Sequence, residues 1–256
     1  MVTGLDLSQL LVRNGTSPFT YVLVDSEAGS RTCVHTPGSC GEPDDIDVEG
    51  VALLHCDCRH MRAQIRAARR MGGQPGVVTI DVEKERPQLQ ELLPLGDYLF
   101  TNALYPASVT GEQDILRAQA AMLQRYPRAR FVVSTQGARG AVLTRRQVDS
   151  CPQAAAPLPV ARSSFEVGGC KFDSYRVEPW PIESREIVDT TGAGDAFIGG
   201  CLHALVRGQP IEEMLSVGSY VASRKLRGVG ARSTLPIARD LQDTMNAWTR
   251  RLPLRS

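Results

Sequence analysis

From Val51 onward the chain alternates short apolar runs with amphipathic helical patterns, and few architectures accept that order. Val51 to Cys56, Val77 to Val82, Tyr98 to Thr101 and Phe131 to Ser134 read as strands. Between them, Met61 to Met71 reads as a basic amphipathic helix, Gln88 to Leu93 as a short helix and Glu112 to Tyr126 as a longer one. Strands separated by helices at this interval predict an α/β fold: a largely parallel sheet, right-handed crossovers and flanking helices. Ligands collect at the carboxyl ends of such strands, which singles out the loops Ser134 to Gly140 and Thr190 to Asp195.

Upstream, Tyr21 to Asp25 and Arg31 to His35 are β-type runs around a glycine turn, so residues 16–36 read as a small hairpin. Pro37 to Asp47 and the Ala- and Pro-rich stretch Ser150 to Ser164 read as surface loops. Ile211 to Leu226 carries Ile211, Met214, Leu215, Val221 and Ala222 on one helical face, and a last helix is expected from Ile237 to Arg250. No internal repeat interrupts this order, and 256 residues fit one domain, 1–256.

A net charge of +1 supplies no global attraction for nucleic acid or an anionic membrane, and a small, locally held anion is the ligand class left open. No apolar run reaches the length of a membrane span and Met1 to Gly15 has no signal-peptide core, so the cytoplasm is the expected location. Seven cysteines without a repeated pair spacing argue for reduced thiols. His55-Cys56-Asp57-Cys58-Arg59-His60 crowds metal-ligand types together, but Cys-x-Cys is not a zinc-knuckle spacing, and a strand end entering a helix is the favoured reading.

Val188 to Phe197 joins an apolar run to a helix through Gly192-Ala193-Gly194. The helix follows from Phe197, Ile198, Cys201, Leu202, Leu205 and Val206, spaced to form one apolar face. Its first N–H groups and positive dipole end suit a phosphate. Asp195 would repel that phosphate as a ligand but is well placed to take a proton from an attacking hydroxyl; the alternative is a helix cap beside a glycine turn.

Asp-Thr-x-Gly-Ala-Gly-Asp-x-Phe, from Asp189 to Phe197, resembles the C-terminal signature of the ribokinase/pfkB family of carbohydrate kinases. Gly137-Ala138-Arg139-Gly140 and Gly230-Ala231-Arg232 are similar to the family at large. Gly4-Leu5-Asp6, Ser30-Arg31-Thr32, Val82-Glu83-Lys84 and Gly96-Asp97-Tyr98 look most like its ketohexokinase branch. The resemblance implies a ribokinase-like fold with a β lid hairpin and an ATP-dependent kinase acting on a sugar hydroxyl, a ketohexose such as fructose being the first choice of acceptor. Asp195 would be the general base and Gly192, Ala193 and Gly194 the anion hole.

The resemblance further assigns ATP contacts to Gly137, Ala138, Arg139 and Gly140, adenine contacts to Ser219 and Ala222, and a phosphate clamp to Arg31. On the residues alone, Gly-x-x-Gly is also a plain turn and Arg31 also a solvated edge-strand arginine. Asp189 and Thr191, with backbone from 224–233, would hold a monovalent cation such as K⁺; Asp189 equally suits a turn closed by local N–H bonds. Mg²⁺ would arrive with ATP.

Two departures stand out. No Gly-Gly-x-x-x-Asn element follows Met1, so the family's N-terminal sugar-binding segment is expected to be absent and the fold N-terminally incomplete. Asn102-Ala103-Leu104-Tyr105 keeps the asparagine of the family's Asn-x-x-Glu motif without its acid. A catalytically inactive kinase-fold binding protein and a nucleoside kinase are the alternatives, and the hairpin is expected to pair two subunits into a homodimer. P-loop and dinucleotide-binding fingerprints are missing, and the four histidines have no triad partners.

Overall fold

The computed structural model describes residues 8, 10, 12, 14–25, 30–39, 41–43, 45–148, 159–241 and 243–244. Strands β1 (Phe19–Asp25) and β2 (Ser30–Thr36) form a separate antiparallel hairpin in which Phe19 pairs with Thr36 and Asp25 with Ser30. Every residue of β1 is exposed, Tyr21, Leu23 and Val24 among them.

The main sheet is built from β3 (Leu53–Cys56), β4 (Val77–Val82), β5 (Tyr98–Asn102), β6 (Phe131–Thr135), β7 (Ala141–Arg146), β8 (Val160–Val167) and β9 (Cys170–Val177), in the order β3-β4-β5-β6-β7-β9-β8. Helices α1 (Met61–Met71), α2 (Leu89–Leu92), α3 (Tyr105–Thr110), α4 (Ile115–Arg125), α5 (Ala193–Val206) and α6 (Ile211–Lys225) complete it. The expected strand and helix alternation is there, and α1 has the expected bounds. Strands β3 to β6 are parallel, whereas β7, β9 and β8 add on antiparallel, so the sheet is mixed.

Side chains alternate between two cores because successive residues of a strand point to opposite faces. Leu99 and Val132 pack with α1, α2 and α4 through Ile65, Met71, Leu92 and Met122. Their neighbours Phe100, Phe131 and Val133 pack on the other face with Phe197, Cys201, Met214 and Leu215 of α5 and α6. Each fully buried aliphatic or aromatic side chain contributes about 2 kcal/mol. Helix α4 begins where Asp114 accepts from the Leu116 and Arg117 N–H groups, both at 3.0 Å, a cap worth about 1 kcal/mol.

Three expectations change. The helix foreseen over Glu112 to Tyr126 starts at Ile115, and a separate α3 precedes it because Asn102 accepts from the N–H groups of Leu104 (3.0 Å) and Tyr105 (2.9 Å). Val160 to Ser164, read as loop, opens β8; residues 149–158 lie outside the described residues. Val206 is 64% exposed, because Ala204 takes the buried position at that end of α5. The last helix is described only over 238–241 and 243–244. Among the described residues no helix is long and apolar enough to cross a membrane.

Candidate active site

The N-terminus of α5 is shaped before the helix begins. Gly192 adopts φ +77°, a left-handed conformation, and a Cβ there would lie 2.8 Å from that of Ala231. Asp189 accepts the Thr191 N–H with Oδ1 and the Gly230 N–H with Oδ2, each at 2.8 Å. These bonds hold its carboxyl well below the usual carboxylate range, the backbone bond from Thr191 being the largest cause. A turn closes as the Ala193 N–H donates to the Thr190 carbonyl, which removes Ala193 from the expected anion hole. The N–H groups of Gly192, Gly194 and Asp195 have no acceptor among the described residues.

Two cavities meet at this turn. One, of about 340 Å³, is lined by Asp57, Cys58, Arg59, Asp81, Glu83, Arg86 and Asp195. The exposed Asp195 carboxylate therefore faces open space and caps nothing. Parallel register explains its neighbours: Cys56 lies opposite Ile80, which brings Asp57 beside Asp81 at adjacent strand ends. Burial, reinforced by the charges of Glu83, Asp195 and Asp57, pushes the Asp81 carboxyl up to about 7. Asn102 steadies this wall by donating to the Glu83 carbonyl at 3.0 Å while it caps α3, so the asparagine without its partner acid has a structural use.

The other cavity, of about 640 Å³, is mainly apolar, with walls from Trp180, Ile182, Ile187, Phe197 and Leu226. It brings together residues expected from separate stretches: Gly137, Ala138 and Gly140 after β6, Ala193 and Gly194 at α5, and Ser219 and Ala222 on α6. Gly140 is required there, since at φ +77° a Cβ would fall 2.0 Å from the Val177 carbonyl oxygen. The Ser219 hydroxyl accepts the Trp180 N–H at 2.7 Å and donates to the Glu178 carbonyl at 3.1 Å, so it shapes the wall. Arg139 is exposed and does not line the cavity. Arg31 sits in β2, and its side chain lies outside the described residues.

Donors for the implied groups can be tested on this geometry. The apolar shelf suits a nucleotide base and the bare N–H groups suit its phosphates. Among the described residues no three His, Cys, Asp or Glu groups cluster so as to hold a metal by themselves, so Mg²⁺ would have to come with the nucleotide phosphates. The monovalent cation implied at Asp189 and Thr191 does not fit. Both Asp189 carboxylate oxygens accept backbone N–H groups, and the Asp189 carbonyl accepts the Lys225 ammonium at 2.6 Å.

Periodicity alone did not reveal Asp57, Asp81, Glu83, Arg86, Trp180 or Lys225 as site residues. The first two carried a usable signal, since both stand at carboxyl ends of parallel strands. Cys56 and Cys58, in the segment weighed as a metal ligand, are buried with thiols pushed up to about 12 at the end of β3 before α1. That is the strand end entering a helix.

Residues 169–238 match the model of the pfkB family carbohydrate kinases. Adenosine kinase 1 of Arabidopsis thaliana is 36% identical over 138 residues, covering 52% of this chain and 34% of the relative. Cytidine kinase of Thermococcus kodakarensis is 29% identical over 177 residues, covering 65% of this chain and 52% of the relative. The chain thus spans about a third to a half of the length of these curated relatives. The structure of Arabidopsis thaliana ribokinase complexed with ribose and ATP superposes with a TM-score of 0.69 at 19% identity, covering 91% of this chain and 70% of that one, and shows the same fold. The Asp189 to Phe197 signature lies inside the stretch that matches the pfkB family carbohydrate kinases, and the sheet around it has the ribokinase-like fold.

Proposed function

We propose that the chain transfers the γ-phosphoryl group of ATP to a hydroxyl of a sugar, a ketohexose such as fructose being the first choice. The observation that carries this reading is the division of labour at one helical turn: Gly194 lines the apolar cavity and Asp195 the acidic one. ATP occupies the apolar cavity with Gly137, Ala138, Gly140, Ser219 and Ala222 around it. Its transferring phosphoryl group meets the free N–H groups and the positive end of the α5 dipole. Bound Mg²⁺ neutralises charge on the phosphates. Asp195 takes the proton of the acceptor hydroxyl as it attacks.

Four carboxylates and two arginines around the acceptor cavity offer many hydrogen bonds and no aromatic ring, which supports a polyhydroxylated acceptor over a stacked base. A nucleoside acceptor is the second reading, favoured by the relatives named adenosine kinase and cytidine kinase. The hairpin, apolar and exposed, is read as the element that pairs two copies of the chain, since a lone two-stranded ribbon is marginal in water. Five described cysteines are free thiols, which supports a reducing compartment such as the cytoplasm.

The test is release of ADP from Mg-ATP with fructose, ribose, adenosine or cytidine supplied singly. Fructose is expected to give the highest kcat/KM, and Asp195→Ala to lower kcat by roughly 10²- to 10⁴-fold while ATP affinity stays the same. An unchanged rate in that variant removes the proposed base. ATP binding with no ADP from any acceptor assigns the chain to the inactive, kinase-fold binding proteins instead.

A further inference from the structure

Lys225 closes helix α6 and is fully buried, an unusual place for an ammonium. Its Nζ donates to the Asp189 carbonyl at 2.6 Å and to the Gly228 carbonyl at 3.2 Å. The Gly228 bond finishes its own helix end, as a cation in the last turn commonly does. The Asp189 bond does something else. Asp189 lies 36 residues away, on the segment that leads into the Gly192 turn.

Everything around the ammonium ties these two segments together. Leu226 offers its carbonyl to the N–H groups of Val188 (2.8 Å) and Asp189 (3.3 Å). The Asp189 carboxylate takes the N–H groups of Thr191 and Gly230, and Thr234 Oγ1 donates to the Lys225 carbonyl at 3.0 Å. At the centre of this lacing, carbonyl oxygens from both segments converge on a single positive charge, with one carboxylate close enough to feel it. Oxygen donors so arranged are what a monovalent cation would seek, and here a side chain has taken them.

We propose that Lys225 is a built-in cation: its tethered ammonium holds the anion-hole turn in place, so that nucleotide binding requires no added monovalent ion. Lys225 is a positioning residue that acts through Asp189, and the inference rests on the nucleotide reading of the apolar cavity. Replacing it with Met removes the charge and shortens the side chain by the terminal nitrogen, leaving between the Asp189 and Gly228 carbonyls a place that an external ion can fill. Potassium or ammonium should then substitute for what the side chain supplied, which a merely space-filling lysine would not allow.

Affinity for Mg-ATP is measured by calorimetry on the full chain in choline, potassium and ammonium chloride at equal ionic strength. The wild-type Kd is expected to agree within about twofold in all three, whereas Lys225→Met binds roughly tenfold more weakly in choline and recovers in ammonium or potassium. A wild-type Kd that tightens several-fold on adding potassium overturns the inference. So does a Lys225→Met variant that binds as tightly as wild type in choline. If the wild-type chain binds no Mg-ATP in any salt, the nucleotide reading fails by itself. Thermal melting without nucleotide then carries the Lys225 question: ammonium or potassium should raise the Tm of the variant only, and an equal rise in the wild type refutes it. If the variant does not fold, the wild-type titration decides alone.

Discussion

Replacing Asp81 with Asn removes a carboxyl that the fold pushes from an ordinary 3.8 up to about 7. Near pH 4 and below, the group is largely neutral in both folded and unfolded chains, and it contributes little. Between about pH 4 and 7 the unfolded chain releases the proton while the folded chain keeps it, so stability falls as pH rises; above 7 the penalty is constant. A shift of about three units corresponds to about 4 kcal/mol at about 1.4 kcal/mol per unit. Asp81 faces an open cavity, and solvent screening there brings the figure to about 2 kcal/mol. Asn cannot ionise and mimics the neutral acid. Urea unfolding followed by far-UV circular dichroism should therefore find the two chains about equally stable near pH 4, and Asp81→Asn more stable by about 2 kcal/mol near pH 8. Taking the difference between the chains cancels the titrating groups that do not feel Asp81. A difference that is the same at both pH values, or a variant less stable near pH 8, would refute the raised Asp81 carboxyl and the burial, reinforced by neighbouring carboxylates, that accounts for it.

Gly192→Ala combines a strained positive φ with a contact on Ala231, and should cost about 2 kcal/mol, a fall in Tm of about 6 °C; a calorimetric scan that overlays the wild type would show that the turn tolerates a side chain. The paired substitutions Val22→Lys and Val24→Lys should shift the chain from dimer to monomer in sedimentation velocity, and a wild-type chain that stays monomeric at every concentration removes the hairpin from dimerisation.

Long, strongly periodic elements were legible in the sequence and polar ones were not. Helix α1 stood out because Met61, Ile65, Ala68 and Met71 recur at helical spacing, and β4 to β6 because their runs are apolar on both faces, as a doubly covered parallel strand must be. Strands β8 and β9 escaped because Arg162, Ser164, Glu166 and Lys171 dilute the pattern. Their fit depends on tertiary partners: buried Asp173 receives Arg162 at 2.9 Å and Ser164 at 2.8 Å. A cue was present in Gly168-Gly169, which forms a two-residue hairpin loop at φ +59° and +75°. In the site, the Gly192 turn and the Asp195 carboxylate could be read locally, since both lie on one continuous stretch. Asp57, Asp81 and Glu83 reach the same cavity only through strand register. Nothing local marks Lys225, because the Asp189 carbonyl it holds lies 36 residues away in the chain.

Gly194 and Asp195 are consecutive, yet each belongs to a different cavity. The partition between the two is thus one peptide unit, about 3.8 Å from Cα to Cα. Synthetic inhibitors built on the proposed function inherit a ruler from this: a surrogate of the terminal phosphate on one side and a polyol on the other need a bridge only a few bonds long. A longer tether would have to bow outward into solvent and lose the benefit of joining its ends.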